Sequence, residues 1–227
     1  WPVCSMPRDM LCISGGGTRA QTFALGVLRA LENLGLMMGV DLISSVSGGS
    51  WAAGMYVFAD LDAKTALGEA TTPSTLTMEA LGRTPPPLLA TATNKMTPIF
   101  LDLITQGLLT DAPQEMWVMA VADTFLKPLG LDDRNSYMAV DAAAVDRIKQ
   151  QNPQLKNSKF LVPRPDRNVS LIMSGSLLAP TGYTASSQNV VSLQMSPDYA
   201  GSPYYPDGGT VGYTSESGRD NAQLYDQ

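Results

Sequence analysis

Histidine is absent from the 227 residues of this chain. A Ser-His-Asp triad is therefore excluded within it, and any serine chemistry needs a different base. Basic clusters are missing too. Fifteen Lys and Arg stand against 21 Asp and Glu, a net charge of -6, which argues against nucleic-acid binding. No uninterrupted apolar run reaches ~18 residues, so no transmembrane helix is expected; the protein reads as soluble or peripheral to a membrane. Two cysteines, Cys4 and Cys12, are too few for a disulfide framework and are expected to be separate thiols. No calcium-loop spacing occurs. Asp132, Asp133, Asp141 and Asp146 read as helix starts and surface charges, and no metal site is expected.

What is present is enough apolar material for a full core, 44% of residues, with only 16% charged. Met10 to Ile13 reads as a short buried strand. A glycine triplet follows, then a helical pattern from Ala20 in which Phe23, Val27, Leu28, Leu31 and Leu34 share a face and Gly35 is the stop. Leu42 to Val46 is a second strand, and Trp51 to Phe58 a second helix. This alternation predicts an α/β fold, a three-layer α/β/α sandwich with a mainly parallel sheet. Thr71 to Pro87 reads as a surface loop. Amphipathic helices are expected over 97–109, 114–127 and 141–151, the last stopped before Pro153. Further strands are expected at 169–173 and 189–195. The domain reading is a single unit over 1–227 with a mostly helical insertion at 72–160. Its start at Trp1 and its polar stretch 214–227 give the expectation that it is incomplete at both ends.

Two short motifs carry chemistry. The first is Ser14-Gly15-Gly16-Gly17-Thr18-Arg19, between a strand and a helix. Successive glycines let main chain approach a ligand and gather N–H groups into an anion-binding nest, to which a helix N-terminus adds its own. The second is Ser45-Val46-Ser47-Gly48-Gly49-Ser50. A sharp strand-to-helix turn of this kind exposes its central serine and demands small neighbours. Ser45 stands two before Ser47 and Gly49 two after. The helix that follows favours negative charge developing at Ser47. Other readings of each motif alone are a nucleotide-phosphate turn, for which GxGxxG spacing and a P-loop lysine are both lacking, and a plain tight turn with no chemistry.

Together, Ile13 to Ala20 and Ser45 to Trp51 resemble the patatin-like and cytosolic phospholipase A2 lipid acyl hydrolases. The resemblance implies a Ser-Asp dyad that uses no histidine and no cofactor. It implies Ser47 as nucleophile, with Gly15, Gly16, Gly17 and Gly48 at the oxyanion. Arg19 would brace the loop or meet a lipid phosphate. The implied base is the aspartate of a later D-G-G/A or D-S-G motif. Asp207-Gly208-Gly209 fits that pattern, Glu216-Ser217-Gly218 fits it in part, and a third reading puts the aspartate beyond Gln227.

The function expected is hydrolysis of a lipid carboxylic ester, with a lipid or other acyl ester as partner and peripheral membrane contact or a membrane-protein assembly as context. The rival is a catalytically weak or inactive member with a structural or lipid-binding role in a larger assembly. Met37, Met38, Met116 and Met119 read as core filling or as an acyl-chain lining. Trp51 is expected to pack the second helix on the sheet, and Asp166-Arg167 to be a turn.

Overall fold

A computed structural model describes residues 9–68, 70, 72–75, 77, 79, 116–167, 169–178 and 190–201. The first strand and helix form where the pattern predicts, but the strand is not the buried one expected: only Ile13 is buried, and Met10 and Cys12 are exposed, because it is an edge strand of the sheet. Strand β1 (Asp9–Ile13) leads into helix α1 (Gly17–Asn33), and β2 (Val40–Val46) into α2 (Gly48–Phe58). A short α3 (Ala63–Leu67) follows; then come α4 (Met116–Val121), strand β3 (Tyr137–Met138) and α5 (Ala142–Gln151). Strands β4 (Phe160–Leu161), β5 (Ser170–Leu178), β6 (Val190–Met195) and β7 (Ala200–Gly201) complete the described elements.

The main sheet has the order β1-β2-β5-β6-β7, and β3 pairs with β4 in a second, small sheet. The pairings β1–β2, β2–β5 and β3–β4 are parallel; β5–β6 and β6–β7 are antiparallel. In the main sheet two of the four pairings are parallel; β1, β2 and β5 pair this way because they are joined by long crossovers that carry helices. The architecture is that of a three-layer α/β/α sandwich. Among the described residues no helix is long and apolar enough to cross a membrane.

Helix α2 is the hub. It is buried nearly all round, through Ala52, Ala53, Met55, Tyr56, Val57 and Phe58, as expected of a helix enclosed between other elements. Helix α1 and the sheet supply its surroundings, with Leu25, Leu28, Ile43 and Leu171 in the same apolar cluster. Each such side chain contributes roughly 1.5–3 kcal/mol on burial.

The buried face of α1 overlaps the expected one only in part. Leu28 is buried and Leu31 packs against the core as expected, and Gln21, Ala24 and Leu25 are buried with them, whereas Phe23 is 75% and Leu34 71% exposed. Gly35 stops α1 as predicted, in the left-handed conformation at φ 69°. Asp141 caps α5 by accepting the Ala144 N–H at 2.7 Å. The segment 114–127 departs from one continuous helix: α4 passes into a π-helical turn over Ala122–Leu126, followed by a 3₁₀ turn ending at Gly130. The expected helix at 97–109 lies outside the described residues.

Arg167, read from sequence as part of a plain turn, is a buried tie. Its side chain is only 3% exposed and lies over the Tyr56 ring, 4.8 Å from the centroid. Its two terminal nitrogens donate to the carbonyls of Tyr56 and Leu61. Tyr56 in turn donates its hydroxyl to Glu32 of α1. Burial, and then the hydrogen bond to Glu32, push the Tyr56 hydroxyl well above its ordinary range. One network thus holds α1, the end of α2 and the approach to β5.

Replacing Arg167 with methionine strips the buried Tyr56 carbonyl and the partly buried Leu61 carbonyl of their donors. The expected loss is about 3 kcal/mol of stability, read from the midpoint of urea unfolding. Tyr56 adds a pH dependence. Its folded-state ionisation is raised above the unfolded value of 10.0, so its contribution is complete below that pH and drains away as pH rises through it. Wild-type stability should therefore fall more steeply above pH 10 than that of Tyr56→Phe, in urea titrations run across that range.

Candidate active site

Both glycine motifs lie at the C-terminal ends of neighbouring parallel strands. Ile13 pairs with Ser45 across β1 and β2, so the turns that follow emerge side by side. Main chain at the two turns packs against main chain. A Cβ at Gly48 would sit 2.0 Å from the Gly17 carbonyl oxygen, and one at Gly49 would sit 2.7 Å from that of Ser14. A Cβ at Gly15 would be 2.9 Å from Ser47 Cβ and 3.6 Å from Ser47 Oγ. No side chain fits in these gaps, which is the physical reason for glycine at all three places.

Ser47 itself is strained. Its φ of 53° and ψ of -127° make it the one non-glycine residue with positive φ among those described. Such a conformation costs of order 1–3 kcal/mol and persists only where its surroundings enforce it. Ser47 accepts the first helical bonds of α2 through its carbonyl, from Ser50 N at 2.8 Å and Trp51 N at 3.3 Å. Its hydroxyl does not cap the helix, although serine at this position usually does. The side chain is exposed beside Gly15 instead.

Ser45, at the place where a glycine is usual in such elbows, is buried. Its hydroxyl donates to the Ile172 carbonyl at 3.2 Å and lies 3.1 Å from Ser50 Oγ. It pins β2, β5 and the first turn of α2 together directly beneath the elbow. Nothing in the motif's spacing announces this role; a small polar residue at a glycine position is its only signal.

The first motif turns through Gly16 at φ 143° and Gly17 at φ 64° into α1. Gly15 and Gly16 are exposed, and Arg19 stands exposed in the first turn of the helix. The structure thus brings Gly15, Gly17, Gly48 and Ser47 into one corner at the N-termini of two helices. Asp207 and Glu216 lie outside the described residues. Among those described, none supplies a carboxylate hydrogen-bonded to Ser47 Oγ, and no group of three Asp, Glu or Cys is placed to hold a metal ion.

Trp51 packs against the apolar core. It stacks on Phe125 from the π turn, centroids 5.4 Å apart. Met37 is buried as core filling, whereas Met38 is almost wholly exposed. Cys12 is a free thiol; Cys4 lies outside the described residues.

Relief of the strain at Ser47 is measurable. Ser47→Gly should raise stability by about 1 kcal/mol, while Ser47→Ala, which keeps the Cβ, should leave it nearly unchanged. Urea unfolding of the two variants beside wild type reads the difference.

Comparison with known proteins matches a family model and solved structures. The family model described as patatin-like phospholipase matches residues 11–214. Human GIVD cytosolic phospholipase A2, solved with methyl gamma-linolenyl fluorophosphonate and terbium chloride, is similar at 16% identity with a TM-score of 0.39, over 85% of this chain. The chain spans 23% of the length of that protein. No curated protein matches.

Proposed function

Because the chain belongs to the patatin-like phospholipase family, we propose that it hydrolyses carboxylic esters of lipids with Ser47 as the nucleophile. The observation that carries this reading is the elbow: a strained, exposed serine that forgoes capping its own helix and stands against Gly15. Strain held in place by its surroundings is a mark of functional sites.

In the reaction, Ser47 Oγ attacks the ester carbonyl and yields its proton to a carboxylate, assigned to Asp207 of the Asp207-Gly208-Gly209 motif. Main-chain N–H groups of Gly15, Gly16 and Gly17, with that of Gly48, hold the oxyanion. Donors of this type are worth about 10²–10³ in rate each. The proton passes to the leaving alcohol, and a covalent acyl-serine remains. Water then attacks that ester, its proton goes to the same carboxylate, and Ser47 is regenerated. The sequence holds no imidazole for the task, which is consistent with a carboxylate base. Arg19, exposed one turn into α1, meets the phosphate of a phospholipid or braces the glycine loop.

A fluorophosphonate probe should label the wild type and fail on Ser47→Ala, and ester hydrolysis should fall by about 10³-fold or more in that variant. Asp207→Asn should lose turnover to a similar degree. An unlabelled, folded wild type would overturn the enzymatic reading in favour of a lipid-binding or scaffold role. Full activity in Asp207→Asn would move the base elsewhere.

A further inference from the structure

Among the described residues, helix α1 carries an apolar face that its own fold leaves open. Phe23 and Leu34 are mostly exposed, and the turn after the helix continues the surface with Leu36 at 55% and Met38 at 90% exposure. Between Phe23 and Leu34, Gly26 and Ala30 are exposed and Val27 is half-buried. Helical spacing puts Phe23, Gly26, Val27, Ala30 and Leu34 on one side. We infer that this face binds a second copy of the chain, as an antiparallel α1–α1 pair about a two-fold axis.

Three observations carry it. The first is the lack of charge. Only Arg29 and Glu32 are charged between Ala20 and Leu34, and both are drawn onto the chain's own groups. Arg29 donates its Nε–H to the Leu67 carbonyl at 2.6 Å, and Glu32 accepts the Tyr56 hydroxyl. The polar side chains that flank the face are bonded within α1: Thr22 donates to the Thr18 carbonyl at 2.9 Å, and Asn33 to the Arg29 carbonyl at 2.8 Å. Docking of a neutral surface leaves these bonds in place. An apolar centre depleted of charge, with a polar rim, is the make-up of a protein–protein interface. A helix that lies in a membrane surface instead carries Lys and Arg along its polar face.

The second is area. A large side chain has roughly 200 Å² of surface, so at their exposures Phe23, Leu34, Leu36 and Met38 alone present about 600 Å² per copy. A stable interface of standard size buries about 800 Å² per partner. Val27, Ala30, Thr22 and Asn33 lie around the four and enlarge the surface towards that size.

The third is symmetry. A two-fold contact must be complementary to itself. Along α1 the face reads large, small, small, large, as Phe23, Gly26, Ala30 and Leu34. A second copy turned about a point between Gly26 and Ala30 sets its Leu34 against Phe23 and its Ala30 against Gly26. The chain's own packing does not require that glycine: a Cβ on Gly26 would meet nothing within 4 Å. Glycine inside a helix weakens it relative to alanine. Close approach of a second helix gives Gly26 a use, because the distance between helix axes is set by the side chains at the contact.

Sedimentation equilibrium from about 1 to 100 µM tests the pair. The wild type should reach twice the chain mass of 24.2 kDa. Phe23→Glu and Leu34→Lys, each alone, should raise the dissociation constant about tenfold or more, since each puts an unpaired charge into the contact. Mixed in equal amounts, the two variants should pair within about threefold of the wild-type constant: the introduced charges then face each other on one side of the axis, and Phe23 meets Leu34 on the other. Gly26→Leu should keep the circular-dichroism spectrum of the folded chain and lose the dimer. A wild type that stays monomeric at the highest concentration overturns the inference, as do single variants that dimerise like wild type or a mixture that does not pair. A monomeric wild type that sediments with phosphatidylcholine vesicles, when Phe23→Glu does not, overturns it in favour of a membrane contact.

Discussion

At the mouth of the sheet, two main chains touch where side chains ordinarily stand between them. The Gly17 carbonyl occupies the space that a Cβ on Gly48 would need, and Ser14 does the same to Gly49. Here the first turns of two helices that start from adjacent strands pack main chain against main chain. The contact fixes how far α1 and α2 are apart, and so which faces they bury. It also presses Gly15 against Ser47 and leaves the serine no relaxed conformation. The strain at Ser47 is thus a consequence of close packing at the crossing, with the packed core behind it supplying the stability that the strain removes.

That packing would be fragile if α2 could tilt, and it is held at both ends. Near its start, the buried Ser45 hydroxyl joins β2 to the Ile172 carbonyl and to Ser50. Near its end, Arg167 grips the Tyr56 and Leu61 carbonyls, and Tyr56 reaches Glu32 on α1. Neither device is apolar. Buried hydrogen bonds contribute only about 1 kcal/mol net, but leaving such groups unmet is far more unfavourable, so they penalise any arrangement in which α2 has moved. Precision at the elbow is enforced by polar ties within an apolar core.

The strands, their turns and the helices following them were legible because each obeys a local rule: an apolar run, a glycine cluster, then helical spacing. The pairing of the two motifs was legible because adjacent parallel strands deliver their ends to one edge. The rotation of α1 was not. The expected stripe through Phe23, Leu28, Leu31 and Leu34 holds at Leu28 and Leu31, but the buried face is turned from it to take in Gln21, Ala24 and Leu25 and leaves Phe23 and Leu34 exposed. Arg167 was hidden for a different reason: its carbonyl acceptors are 106 and 111 residues distant. The π turn was hidden because no residue type marks it.

A carboxylate base makes the glycine corner more important than it would be beside an imidazole. Aspartate has an ordinary pKa of about 3.9 and histidine about 6.5, so proton transfer from a serine to aspartate is about 3.5 kcal/mol less favourable. On the proposed reading, that deficit must be met by stabilising the oxyanion. One well-placed main-chain donor supplies about 2.7–4 kcal/mol, which is the size required, but only if it lies within ~3 Å of the developing charge. Helix N-termini behind both motifs add a favourable field that fades within a turn. Both effects are short-ranged. Glycine against glycine lets main chain pack beside Ser47 at distances that bulkier residues would prevent. On the proposed reading, the chemistry without histidine and the packing without side chains answer the same requirement.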